Sequence, residues 1–200
     1  MNLFTLLKSL ISISTLVAIF EVPALPGIQK ISFILGDLDI VAANALTVNN
    51  SASGDVDLVP TAATTITHTG SGKLTVASAA VASTTTASGT GALTFTAGAA
   101  VQSVTGSSGD DRFDFQATLA ATDTIAGGEG TDTLVLLGEG TGYAATTKVS
   151  GIETVEIDTE NDDNAIDFDL FGATQAAAIS TVNVDITAGA ANTNAHEVTL

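Results

Sequence analysis

The phrase Gly70-Ser71-Gly72-Lys73-Leu74-Thr75-Val76 returns 19 residues later as Gly89-Thr90-Gly91-Ala92-Leu93-Thr94-Phe95. Each copy is a glycine-bounded turn followed by a short run in which apolar and polar residues alternate. Alternation of period two over four to eight residues describes a half-buried strand. A return every 19 residues places successive strands on top of one another, one coil apart, as in a solenoid. The same alternation predicts strands over 66–69, 133–137, 154–157 and 181–186, whereas helical periodicity after residue 45 is confined to 170–178. The chain therefore reads as all-β, a parallel β-solenoid (β-roll or β-helix) spanning 43–200. Eight Phe, one Tyr and no Trp agree with a thin core more than with a broad globular one.

A second motif supplies chemistry. Gly127-Gly128-Glu129-Gly130-Thr131-Asp132-Thr133-Leu134-Val135 fits the nonapeptide G-G-x-G-x-D-x-U-x, U being a large apolar residue, at every specified position. Its glycines permit a tightly curved backbone that turns carbonyl oxygens inward. Asp132 adds a carboxylate, and Leu134 begins the next strand. An all-oxygen ligand set of variable geometry suits Ca²⁺ more than Zn²⁺ or Mg²⁺. A looser copy, Gly106-Ser107-Ser108-Gly109-Asp110-Asp111-Arg112-Phe113-Asp114, puts Ser107 where the motif has its second glycine, a position where serine would strain if φ were positive. Asp111 and Asp132 are 21 residues apart, where two nonapeptides make 18. Either three residues bulge out of that coil or the two loops do not stack in register.

Charge points the same way. The chain carries 22 acids against five bases, a formal charge of −17, and 17 of the acids follow residue 100. Nucleic acid and anionic membrane surfaces both require clustered Lys and Arg, so neither is a partner; cations are. Residues 153–169 hold eight acids and no base. Asp158-Thr159-Glu160-Asn161-Asp162 starts like an EF-hand loop, but Asp163 stands where that loop needs Gly, and Asp169 where it needs Glu. With no cysteine there is neither a disulfide framework nor a thiolate metal site.

The first 42 residues differ from the rest. Apolar residues crowd 1–20, with Lys8 the one charge, but the uncharged run 9–20 is too short for a membrane span. It reads as a short helical segment, either signal-like or capping the open end of the solenoid. No catalytic constellation is visible. His68 and His196 lie outside any zinc spacing and read as strand-surface residues, and no nucleophile elbow, P-loop or dinucleotide fingerprint occurs.

The glycine-strand phrases, the step Val104-Thr105-Gly106-Ser107-Ser108-Gly109-Asp110-Asp111, the run Val149-Ser150-Gly151-Ile152-Glu153-Thr154-Val155 and the nonapeptide together resemble RTX-like bacterial surface-layer proteins and related β-strand-repeat exoproteins. The resemblance implies a right-handed parallel β-roll or β-helix with Ca²⁺ held between loops of successive coils. It also implies secretion through a type I system and assembly at the cell surface, by self-association or on a cell-surface polysaccharide. Carried over position by position, the side-chain ligands are Asp111 and Asp132, and the carbonyl ligands are Gly106, Ser108, Gly127 and Glu129. The expectation is a non-enzymatic extracellular structural protein that folds and assembles on Ca²⁺. The alternative is a repeat or secretion module of a type I-secreted enzyme, toxin or adhesin whose active domain lies outside these residues.

Overall fold

The computed structural model describes residues 11–12, 28–32, 39–40, 45–51, 54–60, 63–79, 81–137, 148–159, 165–167, 171–186 and 197–199. In chain order the strands are β1 (Ile11–Ser12), β2 (Ile28–Ser32), β3 (Asp39–Ile40), β4 (Ala45–Asn50), β5 (Val56–Leu58), β6 (Thr65–Gly70), β7 (Leu74–Ala79), β8 (Ser83–Ala87) and β9 (Leu93–Ala97). They continue as β10 (Gln102–Thr105), β11 (Arg112–Gln116), β12 (Thr124–Ala126), β13 (Thr133–Leu137), β14 (Val149–Ser150), β15 (Thr154–Thr159) and β16 (Ala165–Asp167). Helix α1 (Ala173–Ala178) precedes β17 (Thr181–Ile186) and β18 (Glu197–Thr199).

Strands alternate between two seven-stranded sheets. The even strands from β2 to β14 form the first and the odd strands from β5 to β17 the second, each pairing in parallel with the next strand but one. This is a β-solenoid, two strands to a coil. The 19-residue repeat is one coil, for Leu74, Thr75 and Val76 lie in register with Leu93, Thr94 and Phe95.

The inward half of each alternating run fills the space between the sheets. Leu46, Val48, Ile66, Val104 and Ile125 come from the first sheet, and Leu74, Val76, Leu93, Phe95, Phe113, Phe115, Leu134 and Val155 from the second; all are essentially fully buried. Phe95 stacks in register on Phe113, and its ring lies 6.1 Å from that of Phe115, tilted by 34°. Burying a Phe or Leu side chain contributes about 1.5–3 kcal/mol, and columns of identical register let each coil bury its neighbour's face.

The coil between the two nonapeptide loops does contain three extra residues, and they are looped out. Phe95 to Phe113 is one coil of 18 residues, whereas Phe113 to Leu134 takes 21. The register slips by one between Asp114 and Gln116, where Gln116 has φ 44°. The turn that follows is closed by Thr118, whose N–H and hydroxyl both donate to the Phe115 carbonyl. Asp123 accepts from the N–H groups of Ala120 and Gln102, and Leu119 is buried, so the excursion is tied back to the coil. The loops on either side therefore stack.

Two expectations change. Of residues 1–20 the structure describes Ile11 and Ser12 alone, and these pair antiparallel with Ile40 and Asp39 as strand, where the sequence reads as helix. His68 is not on the strand surface: it is fully buried, because β6 turns Ile66 and His68 inward and Thr67 and Thr69 outward. His196 lies outside the described residues. The modest helical periodicity at 170–178 does become α1, whose buried Gln175 accepts from the Ile152 N–H and donates to the Ile152 carbonyl at the edge of the core.

Candidate functional site

One corner of the solenoid, where the chain turns from the first sheet into the second, holds both nonapeptide loops. Asp111, Asp132 and Glu153 each occupy the position just ahead of a second-sheet strand, one coil above another. There the turn leaves a backbone N–H without a ladder acceptor, and a buried N–H must find one. The carboxylate of the next coil provides it. Leu93 N–H donates to Asp111 Oδ1 at 2.6 Å, Asp111 N–H to Asp132 Oδ1 at 2.8 Å, and Asp132 N–H to Glu153 Oε2 at 2.9 Å. The result is a staircase of charge-assisted bonds, a class roughly twice as strong as neutral ones.

The second oxygen of each aspartate behaves differently. Asp111 Oδ2 accepts from the Ser107 N–H at 2.5 Å, and Asp111 Oδ1 also accepts from the Ser107 hydroxyl at 3.0 Å. Ser107 is not among the residues with positive φ, so it escapes the strain expected of it. It adds a hydrogen bond that glycine could not. The perfect copy has Gly128 at this place, with φ 114°, and Asp132 Oδ2 is buried without a hydrogen-bond partner. Burial is the main reason the Asp132 carboxyl is pushed up to about 6, and the charges of Asp111, Glu153 and Asp110 add to it against the opposing Asp111 N–H. Asp111 is also raised, again chiefly by burial, with the Leu93 and Ser107 donors opposing.

Gly127 shows why the motif opens on glycine. A Cβ there would lie 1.8 Å from the Gly151 carbonyl oxygen and 2.3 Å from Asp132 Oδ2. The carboxylate occupies the space that a side chain would fill.

The sequence-predicted residues are thus brought together in part. Gly106, Gly127, Asp111 and Asp132 share the buried corner, while Ser108 and Glu129 sit on the exposed loop tips. Ser108 N–H donates to the Gly89 carbonyl, and Thr131 N–H on the next loop donates to Asp110 Oδ1. Among the described residues no three His, Cys, Asp or Glu side chains converge as a metal cluster. The residue that best fits a cation is Asp132, because Oδ2 is a buried, unpaired carboxylate oxygen beside three further acids, Asp111, Glu153 and Asp110. At Asp111 both oxygens already accept from N–H or O–H donors, so it fits less well.

Sequence reading missed Glu153, although its spacing offered the signal: Glu153 follows Asp132 by 21 residues, as Asp132 follows Asp111. The rest of the acid block divides. Glu156 pairs with Arg112 at 2.6 Å on the outer face of the second sheet, next to Asp114, whose carboxyl is raised mainly by burial. Residues 160–164 and 168–170 lie outside the described ones. Among the described residues no helix is long and apolar enough to cross a membrane. No protein-family model, curated protein or solved structure matches this chain.

Proposed function

We propose that this chain is a non-enzymatic, extracellular structural protein, a surface-layer or matrix component whose solenoid is consolidated by Ca²⁺ at the corner formed by residues 106–111 and 127–132. The observation that carries the reading is Asp132: its Oδ2 is buried and unpaired, and its carboxyl resists ionisation, next to Asp111 and Glu153. Without a counter-charge, ionised acids stacked in this corner repel and oppose closure of the coil. Ca²⁺ would supply positive charge and accept oxygen ligands from Asp132, with the carbonyls of the loops that include Gly106 and Gly127 within the same corner. Asp111 and Glu153 hold the staircase in register, and Gly127, lacking a Cβ, leaves room for the Asp132 carboxylate. Extracellular calcium of about 10⁻⁴–10⁻³ M lies in the range that modules of this affinity use. The acid-rich, cysteine-free composition agrees with folding outside the cell, and the end faces and edges of a solenoid lend themselves to ordered self-association.

Thermal unfolding of the full chain at pH 7.5, followed by circular dichroism, tests this. Millimolar CaCl₂ added to EDTA-treated protein should raise the midpoint by several degrees, and MgCl₂ should not. Asp132→Ala should remove the response, and Asp57→Ala, on the exposed face of β5, should keep it. Identical midpoints with calcium and with EDTA would sink the proposal.

A further inference from the structure

The outer face of the first sheet has a regularity that the corner does not use. Register places Ala45, Thr65, Thr84, Ser103 and Thr124 in one column across β4, β6, β8, β10 and β12. A parallel column two residues along each strand is Thr47, Thr67, Thr86, Thr105 and Ala126. Four of five positions in each column thus carry a hydroxyl, all of them outward and at least partly exposed. Neighbouring strands repeat at about 4.8 Å and alternate residues along a parallel strand at about 6.6 Å. The pairings from β4 to β12 have no register slip, unlike the second sheet, which slips twice. Threonine is stiff at χ1, so a column of threonines on identical backbone points its hydroxyls and methyls in common directions.

Charge sets this face apart. The protein is strongly acidic, yet the outward positions of these five strands carry no ionisable side chain. The second sheet, by contrast, shows Asp57, Arg112, Asp114, Glu156 and Asp158 on its outer face. A neutral two-dimensional grid of hydroxyls and methyls complements a neutral partner that repeats on the same scale. A charged polymer or headgroup would find nothing to pair with. Crystalline polysaccharide is gripped by aromatic rings stacked on sugar faces, and the grid has none. A second copy of the chain would need a contiguous apolar surface, which short hydroxylated side chains do not make.

The geometry points to a water lattice as the occupant: the first-sheet face binds the surface of ice. The strand repeat is close to the shorter oxygen repeat in the prism face of hexagonal ice, and the repeat along each strand falls somewhat short of the longer one. Waters held by the hydroxyls and ordered around the methyls between them would then join the crystal after small shifts along the strand direction. Each contact is weak, and the registered array makes them additive. A bound solenoid would pin the growing front and arrest it between attachment points. The face is separate from the calcium corner, so Asp132→Asn in a folded chain leaves it intact.

Single ice crystals grown in solutions of the folded full chain, in calcium-containing buffer, provide the test. The expected result is faceted crystals and a gap between melting and growth temperatures that widens with protein concentration. Thr67→Tyr and Thr86→Tyr, each interrupting the grid at its middle, should abolish the gap while circular dichroism stays native. Thr94→Tyr, outward on the second sheet, should preserve it. No gap for the folded wild type overturns the proposal, as does a gap indifferent to the two first-sheet substitutions or equally lost in Thr94→Tyr. Sedimentation showing a dimer that Thr86→Tyr dissociates would assign the face to a second copy and overturn it too.

Discussion

Asp132 should be a liability at neutral pH without calcium, and Asp132→Asn measures how large. The folded carboxyl titrates near 6 against 3.8 when unconstrained. At 1.36 kcal/mol per pKa unit, keeping it ionised in the corner costs on the order of 3 kcal/mol. The sign follows from proton uptake: between those two values the folded chain binds more protons than the unfolded one, so stability from this group is fully present below 3.8 and is lost as pH rises through 6. Asparagine keeps an oxygen to accept the Asp111 N–H and removes the charge. Its amide adds a donor in place of Oδ2, and an unsatisfied donor costs about 1–3 kcal/mol. That offset applies at every pH and cancels when two pH values are compared. Urea unfolding of both proteins in EDTA at pH 4 and pH 7.5 should therefore show the variant gaining on wild type by up to about 3 kcal/mol across the interval. His68, whose pKa burial lowers, pulls stability the opposite way but contributes equally to both proteins. Added calcium at pH 7.5 should reverse the order, because wild type alone retains the anionic oxygen. A stability difference constant to within about 0.5 kcal/mol over this pH range would refute the assignment of a raised carboxyl at the corner.

Three further outcomes are expected. Gly127→Ala drives a Cβ to within 1.8 Å of the Gly151 carbonyl, a backbone atom that cannot swing aside, and should cost roughly 1–3 kcal/mol or more in urea unfolding. Phe113→Ala empties the middle of the inter-sheet column and should cost about 3–5 kcal/mol, with hydrogen exchange rising in the flanking coils because each coil leans only on its neighbours. His68→Leu replaces a buried ring that makes no well-formed hydrogen bond, only a weak one with the Gly72 backbone, and should be close to neutral or stabilising at pH 7.5. Its advantage should grow as pH falls below 6.5, since the lowered folded pKa makes wild type lose stability on acidification; melts at pH 5 and 7.5 check this.

What was legible in the sequence depended on locality. Period-two alternation fixes which side chains face inward once the backbone is extended, so the core positions Leu74, Val76, Leu93 and Phe95 could be read off residue by residue. The 19-residue return gave the coil, because parallel stacking with little offset is the arrangement that brings identical phrases into register. At His68 the two signals oppose each other: its polarity favours the surface, but the alternation that buries Ile66 buries His68 as well. The 21-residue interval announced three surplus residues without saying where they go. Their placement was decided by the slip at Gln116 and by Asp123, whose carboxylate reaches back to Gln102 on the preceding coil.

The nonapeptide divides in the same way. The sequence by itself determined that residues 127–132 turn tightly and end on a carboxylate beside a strand, since glycine freedom and residue chemistry are local properties. Only the tertiary structure decided what that carboxylate meets. Stacking set Asp111, Asp132 and Glu153 above one another, gave one oxygen of each to the backbone of the coil before, and left Asp132 Oδ2 buried without a partner where Asp111 has Ser107. The staircase bonds join residues 18 to 21 positions apart in the chain. Their geometry exists only when neighbouring coils close on one another, and it decides whether an acidic side chain at this corner caps the backbone or remains open to a cation.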